Sequence, residues 1–238
     1  MTASTIMKRL RAGATPVKAV VLARFFKTGP GQYGEGDRFL GVMVPGQRQI
    51  AKEFRDLPLP EVEKLLASPY HEARLTGFLV LTYAFERADE ARRRELYGFT
   101  LAQRAAMNNW DLVDVIAPVI VGGWLLDRPA DRKLLRKFAK SPDLWERRIA
   151  IVSTLAFIRA GDFADTLAIS ETLLADRHDL IHKATGWMLR EVGKRDEDVL
   201  RGFLDGHAAR MPRTALRYAI ERLPEAERQG WLAVPRSG

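Results

Sequence analysis

The chain has 238 residues, of which 47% are hydrophobic, contains no cysteine and carries a formal net charge of +8. This composition supplies a core without disulfides, and it excludes thiolate metal sites and cysteine nucleophiles. No apolar run approaches the ~20 residues that span a bilayer, and Met1 to Gly13 lack the apolar core of a signal peptide. The positive charge favours a polyanionic partner, with nucleic acid as the leading candidate.

The N-terminal part of the chain is predicted to form two short helices and a loop. Apolar residues at helical spacing place the helices at residues 2–11 and 16–27. Residues 28–37 then contain a literal G-x-G-x-x-G. That motif binds dinucleotides only after a strand, whereas here it follows a helix and contains a proline and acidic residues that would repel phosphate. We therefore predict an ordered loop that packs over a groove.

Apolar periodicity, prolines and capping residues predict helices along the rest of the chain. Pro118 is expected to kink or split the helix that begins near Trp110. The other predicted helices cover residues 47–55, 58–67, 68–86, 89–107, 129–140, 141–159, 162–175, 179–194, 197–205 and 212–222. Because no stretch alternates convincingly with period two, we predict an all-α fold.

Three segments resemble one another: SPYHEARLTGF, SPDLWERRIAI and ADRHDLIHKATGW. Each has a turn, a basic residue and an apolar helix face. This repetition, with a period of roughly 34 to 40 residues, predicts an α-solenoid of HEAT-like repeats. We expect a single domain over residues 1–238. It comprises N-terminal helices and a Gly-rich loop (1–67), repeats (68–223) and a short helix with a loose tail (224–238).

Equivalent positions on successive second helices of such repeats line one concave surface. Aligning the basic residues places Arg148 and Lys183 35 residues apart, and a step of 34 back from Arg148 reaches Asp114. We therefore expect these three residues to be neighbours along a basic groove, which Arg74 and Arg213 extend. Cations in such a groove suit the phosphates of a duplex.

The segment NNWDLVD places an indole and a carboxylate on one helix face, because Trp110 and Asp114 are four residues apart. This pairing suits a sugar held against a stabilising negative charge. Two structural alternatives are open. Asn109 or Asp111 caps the helix while Trp110 fills the core, or Asp114 simply pairs with Arg148 across the repeats.

Two more tryptophans interleave with the basic residues. Trp187 lies four residues beyond Lys183 and shares its helical face, although burial in the core is the alternative. Trp145 follows a capping segment and is expected to lie between repeats. The four histidines offer no metal motif, since His178 and His182 lack the acidic residue of an H-E-x-x-H pattern. We expect neither a metal nor a cofactor.

The motifs NNWDLVD, WERRIAI and ATGWMLRE, in that order on a helical repeat, resemble the AlkD-type DNA alkylation repair family of HEAT-like-repeat DNA glycosylases. The segment ARFFKTGPGQYGEGDRFLGV is similar to the N-terminal segment common in that family. The resemblance covers about residues 20–220. Three ordered motifs make it specific.

The resemblance implies a monofunctional glycosylase that excises N3-alkyladenine and N7-alkylguanine from duplex DNA without flipping the base. By position, Trp110 and Trp187 match the aromatic residues that pack on the lesion nucleotide. Asp114 matches the catalytic carboxylate, and Arg148 a phosphate-contacting residue. Phe25 stands where family members can have tyrosine, so a hydroxyl hydrogen bond is lost there while ring packing can survive.

The implied chemistry is consistent with these residue types. A cationic purine is already a good leaving group, so Asp114 need only stabilise the oxocarbenium-like sugar and orient water. One alternative is a non-catalytic HEAT-like scaffold that binds nucleic acid or protein through its concave face. Another is a family member that binds DNA but has lost excision. We expect a soluble monomer in the bacterial cytoplasm that binds double-stranded DNA containing alkylated purines and is nucleoid-associated when bound.

Overall fold

The computed structural model describes residues 1–235, which contain no strand, only an isolated bridge between Arg38 and Tyr70. The all-α prediction is confirmed. The helices of the first half are α1 Ala3–Ala12, α2 Pro16–Phe25, α3 Val44–Glu53, α4 Leu59–Leu66, α5 His71–Arg87, α6 Glu90–Ala102 and α7 Trp110–Ile116. Those of the second half are α8 Gly123–Leu125, α9 Lys133–Phe138, α10 Leu144–Ser153, α11 Leu155–Arg159, α12 Ala164–Leu173, α13 Asp179–Gly193, α14 Glu197–His207, α15 Arg213–Ala219 and α16 Glu225–Ala233.

The chain separates into two compact units, with the boundary in the sequence between Ile120 and Val121. The first unit is built around α5, in which every residue from His71 to Thr82 is buried. Helices α3, α4 and α7 pack against it, so α5 is the common support of the elements that carry the candidate site. The predicted organisation as a single domain stays a prediction.

Helices of the second unit repeat at the predicted period. Helices α10, α13 and α15 begin at Leu144, Asp179 and Arg213, at intervals of 35 and 34 residues, and α13 packs against both of the others. Gly186 allows α13 to approach α15 closely, because a Cβ atom there would lie 2.3 Å from the carbonyl oxygen of Ala215. The helical repeat is therefore confirmed in this unit, and the concave basic groove stays a prediction.

Prolines explain two of the helix boundaries. Helix α3 begins at Val44 rather than at the predicted Gln47, because Pro45 lies in its first turn, where the missing N–H has no helical partner to lose. The predicted interruption at Pro118 is confirmed, since α7 ends and a π-helical turn follows over Ala117–Gly122. A proline within a helix removes a backbone hydrogen bond, and the wider π turn accommodates that loss.

The C-terminal helix is present as predicted. Helix α16 follows Pro224, whereas the predicted loose tail falls partly on residues 236–238, which lie outside the described residues. Among the described residues, no helix combines the length and the apolar character needed to cross a bilayer.

Candidate functional site

Helix α7 carries Trp110 and Asp114 on one face, and both side chains are half-buried. Asn109 is the N-cap of this helix, and its Oδ1 accepts a hydrogen bond from the backbone N–H of Trp110 at 2.8 Å. The capping alternative is therefore confirmed for Asn109. Trp110 does not fill the core, because part of its indole remains exposed. Both Trp110 and Asp114 thus remain accessible to a ligand.

Aromatic rings hold the indole of Trp110 in place. Phe26 is buried and stacks on it with ring centroids 5.4 Å apart, and Phe25 meets its edge at 5.9 Å. From the Gly-rich loop, the Tyr33 hydroxyl accepts a hydrogen bond from Nε1 of Trp110 at 3.3 Å. The loop is therefore ordered against the aromatic cluster, which we define as Phe25, Phe26, Phe39 and Trp110. Phe25 itself is 60% exposed.

His71 links two carboxylates beside this aromatic cluster. Its Nδ1 lies 3.1 Å from Oδ2 of Asp37, and its Nε2 lies 2.8 Å from Oδ2 of Asp111. The imidazole is buried and packs against the rings of Phe26 and Phe39, with centroids 4.8 Å and 4.9 Å away. Because only the charged imidazole donates from both nitrogens, two carboxylate partners favour the protonated form. His71 thereby connects the Gly-rich loop to the first turn of α7.

Asp37, His71 and Asp111 form what we call the buried charge cluster, and its electrostatic interactions favour the charged form of the histidine. Burial lowers the pKa of His71, but hydrogen bonds to Asp111 and Asp37 outweigh burial and raise that pKa to about 9. Burial likewise acts to raise the pKa of Asp37. The hydrogen bond from His71 and the charge of Arg74 overcome that effect and hold the Asp37 pKa below its usual value. At neutral pH His71 is therefore a buried cation held by carboxylates.

The sequence predicts that Arg74 extends the DNA-binding surface. In the structure, Arg74 belongs to the buried charge cluster instead. Its Nη2 donates to Oδ1 of Asp37 at 2.6 Å, and its Nη1 donates to the carbonyl oxygen of Ser68 at 2.9 Å. The side chain is only 6% exposed. A guanidinium committed in this way cannot meet a phosphate at the surface, so the prediction for Arg74 is corrected.

An apolar pocket of about 280 Å³ opens between the aromatic cluster and the N-terminal ends of α3 and α5. Leu22 and Met43 contribute to its walls, and His71 and Asp111 are the polar groups next to Trp110. Apolar walls with a few polar groups are typical of small-molecule sites. This pocket can accept an apolar or flat group beside the indole.

Sequence reasoning missed the roles of Asp37 and His71. One signal was available, because His71 and Glu72 open a helix that is otherwise buried and mostly apolar, and buried polar groups require partners. Glu72 accepts hydrogen bonds from the backbone N–H groups of Leu40 and Gly41 at 3.0 Å and 2.8 Å. The partners of His71 lie 34 and 40 residues away in sequence, and no periodicity connects them.

In the second unit, Arg148 and Lys183 lie on helices that contact each other. Nη1 of Arg148 donates to the carbonyl oxygen of Leu180 at 2.6 Å, which ties α10 to α13, and Arg148 is 5% exposed. The Lys183 ammonium lies 2.8 Å from Asp179 on the same helix. The structure thus brings the repeats of Arg148 and Lys183 together. Burial of Arg148 argues against its predicted phosphate contact for the same reason as for Arg74. A phosphate contact by Lys183, and the proximity of Asp114 to both residues, stay predictions.

The remaining predicted residues of the second unit are half-buried. Trp187 is half-buried rather than in the core, and its Nε1 donates to Oε1 of Glu191 at 3.2 Å. Trp145, expected between repeats, is likewise half-buried. Arg213 donates from Nη2 to the carbonyl oxygen of Val234 at 2.9 Å, which joins α15 to the C-terminal segment.

His178 and His182 form hydrogen bonds at the N-terminal end of α13. Nδ1 of His178 accepts a hydrogen bond from the N–H of Leu180 as the N-cap of α13, and Nε2 of His182 lies 2.6 Å from the carbonyl oxygen of Asp176. Within the described part of the chain, no group of three or more potential ligands is placed to hold a metal ion.

Comparison with known proteins gives consistent results for family and fold. The family model described as DNA alkylation repair enzyme matches residues 6–223, nearly the whole chain. Among solved structures, the chain is similar to a predicted DNA alkylation repair enzyme from Enterococcus faecalis, with a TM-score of 0.70 and 17% sequence identity. That alignment covers 89% of this chain and 97% of the other. At this identity the likeness shows the fold alone. No curated protein sequence gives a significant match.

Proposed function

Because the chain belongs to the family of DNA alkylation repair enzymes, we propose that it is a monofunctional DNA glycosylase. Family membership supports a role in alkylation repair, and the reaction and substrates are our proposal. The enzyme hydrolyses the N-glycosidic bond of cationic alkylated purines, N3-alkyladenine and N7-alkylguanine, in duplex DNA. It leaves the sugar–phosphate backbone intact.

The observation that carries this proposal is the shared, half-buried face of Trp110 and Asp114 on α7. Phe26, Phe25 and Tyr33 restrain the indole, so its orientation is set before DNA arrives. Preorganisation of this kind lowers the ordering cost of binding. A sugar packed against Trp110 would lie next to the Asp114 carboxylate.

In the proposed reaction, Asp114 acts on charge that develops at the sugar. The C1′–N bond breaks, and its electron pair leaves with the purine, which becomes neutral. The sugar acquires oxocarbenium character, which a nearby carboxylate stabilises. A water molecule oriented by Asp114 adds its oxygen to C1′ and releases a proton to solvent. No general acid is required because the leaving base is already cationic.

We assign supporting roles to other predicted residues. Trp187 packs on the lesion nucleotide, and its accessible indole permits that role. Lys183 and Arg213 contact phosphates, which position DNA without reading its sequence. Arg148 is buried as Arg74 is, so its part is to hold α10 against α13, the helix that carries Lys183. Phe25 packs on the backbone through its exposed ring. Tyr33 places a hydroxyl beside the aromatic cluster, where it accepts a hydrogen bond from Trp110.

Base flipping is not part of the proposal, although a pocket adjoins Trp110. Enzymes that extrude a base read it by hydrogen bonds to its Watson–Crick edge. Most polar groups of this pocket are already engaged, because His71 binds Asp111 and Glu72 accepts backbone N–H groups. Gln47 donates from Nε2 to the carbonyl oxygen of Val42 and leaves only its Oε1 without a partner, and one acceptor does not read the Watson–Crick edge of a purine.

The direct test is incubation with methylated duplex DNA followed by chromatography of the released bases. We expect free N7-methylguanine and N3-methyladenine, with strands that stay intact until alkali cleaves the abasic sites. Binding to the duplex without release of either base would support the scaffold alternative. Strand cleavage by the protein itself would contradict a monofunctional mechanism.

A further inference from the structure

A second pocket of the first unit lies at the opposite ends of α3 and α5 from the aromatic cluster. Its volume is about 370 Å³, and Arg55, Tyr83, Arg87 and Arg92 contribute to its wall. We propose that this pocket, which we call the arginine pocket, binds a phosphodiester group of the DNA backbone away from the damaged nucleotide. The choice of DNA as the anion rests on the proposed function.

The charge of the arginine pocket is poorly compensated within the first unit. Its wall has three arginines against one carboxylate, Asp56. Asp56 lies 3.8 Å from Arg55, and both side chains are exposed, so the pair is weak. Arg92 pairs with Glu95 at 2.6 Å. Among residues 1–120, no carboxylate lies within ion-pairing distance of Arg87.

Tyr83 brings two further cations to the same place. Nη1 of Arg48 donates to the Tyr83 hydroxyl at 3.3 Å, and Nζ of Lys52 lies 5.8 Å from the centroid of the ring. The hydroxyl accepts from Arg48, so its own hydrogen remains available to a phosphate oxygen. Clustering like charges is unfavourable in the free protein, and a bound phosphate relieves that repulsion.

The length of α5 gives the distance between the two pockets. His71 adjoins the aromatic cluster at one end, and Arg87 lines the arginine pocket at the other. At 1.5 Å per residue these residues are roughly 24 Å apart along the helix axis. Each base pair adds 3.4 Å to a duplex, so this span corresponds to about seven base pairs of a duplex that runs along α5. The arginine pocket would therefore contact only one flank of the lesion.

The test uses an Arg55→Gln/Arg87→Gln double variant and two lesion placements. Each duplex has 20 base pairs, and N7-methylguanine lies four base pairs from either the 5′ or the 3′ end of its strand. Only one placement retains the flank that reaches the arginine pocket. A Lys133→Gln/Lys137→Gln variant on α9 is the control, because it removes two exposed positive charges elsewhere. Fluorescence anisotropy in a potassium chloride series gives affinity and salt slope.

We expect the double variant to lose affinity several-fold on one placement only, with a salt slope smaller by roughly 0.9 for each phosphate contact removed. An equal loss of affinity on both placements, or a loss no larger than that of the α9 control, would overturn the proposal that the arginine pocket binds DNA. Base release by the wild type would still support the glycosylase in that case. A placement effect without base release by the wild type would uphold the pocket and overturn the glycosylase. Failure of the wild type to bind either duplex would overturn both.

Discussion

The charged form of His71 should stabilise the first unit, and this contribution should vanish at alkaline pH. Histidine in an unfolded chain has a pKa of about 6.5, whereas hydrogen bonds to Asp111 and Asp37 raise the pKa of His71 to about 9 in the fold. One pKa unit corresponds to about 1.4 kcal/mol, so protonation contributes about 3 kcal/mol. Because the folded pKa is raised, this contribution is complete below pH 6.5 and is lost as the pH rises through 9.

Urea unfolding of the wild type and of His71→Gln at pH 6, 8 and 10 measures this contribution. Glutamine is uncharged, and comparison at each pH cancels the titration of groups that both proteins share. Asp37 stays ionised throughout this range, because its pKa is held below its usual value. We expect the difference in free energy of unfolding to shrink by about 3 kcal/mol from pH 6 to pH 10. A difference that is constant over this range would refute a charged His71.

Three further substitutions test other parts of the account. Gly41→Ala should lower the free energy of unfolding by about 1 to 3 kcal/mol in urea titrations, because Gly41 has φ of 87° and a Cβ atom would lie 2.1 Å from the carbonyl oxygen of Thr15. Wild-type stability would contradict that backbone geometry. Trp110→Leu should slow single-turnover base release roughly tenfold, because it removes the cation–π attraction that the indole would offer to the positive charge of the proposed transition state. An unchanged rate would exclude Trp110 from the site. Lys183→Gln should reduce the salt slope of duplex binding by roughly 0.9, and an unaltered slope would exclude a phosphate contact.

The parts of the site that could be predicted from sequence depend on local geometry. Trp110 and Asp114 share a face because four residues make about one turn of a helix, and this holds wherever the helix packs. The repeat of α10 and α13 was equally predictable, because each begins with similar turn residues and then an apolar face. Such signals need no knowledge of distant partners.

The buried charge cluster could not be predicted because it joins distant segments. Asp37 comes from the Gly-rich loop, His71 from α5 and Asp111 from α7, and only the folded first unit brings them together. Arg74 was misassigned for the same reason. The repeat pattern identified it as a basic position, but it could not show that Asp37 lies 2.6 Å away. Charge in a sequence does not distinguish an exposed cation from a buried one.

The proposed reaction depends most directly on the Asp114 carboxylate. Single-turnover release of N7-methylguanine from a methylated duplex, compared between the wild type and Asp114→Asn, measures its contribution. Asp198→Asn, at a carboxylate that is 95% exposed, is the matched control and should behave as the wild type. We expect Asp114→Asn to slow release by roughly 100-fold or more while duplex binding is kept or becomes tighter. Release by Asp114→Asn at the wild-type rate would contradict the account.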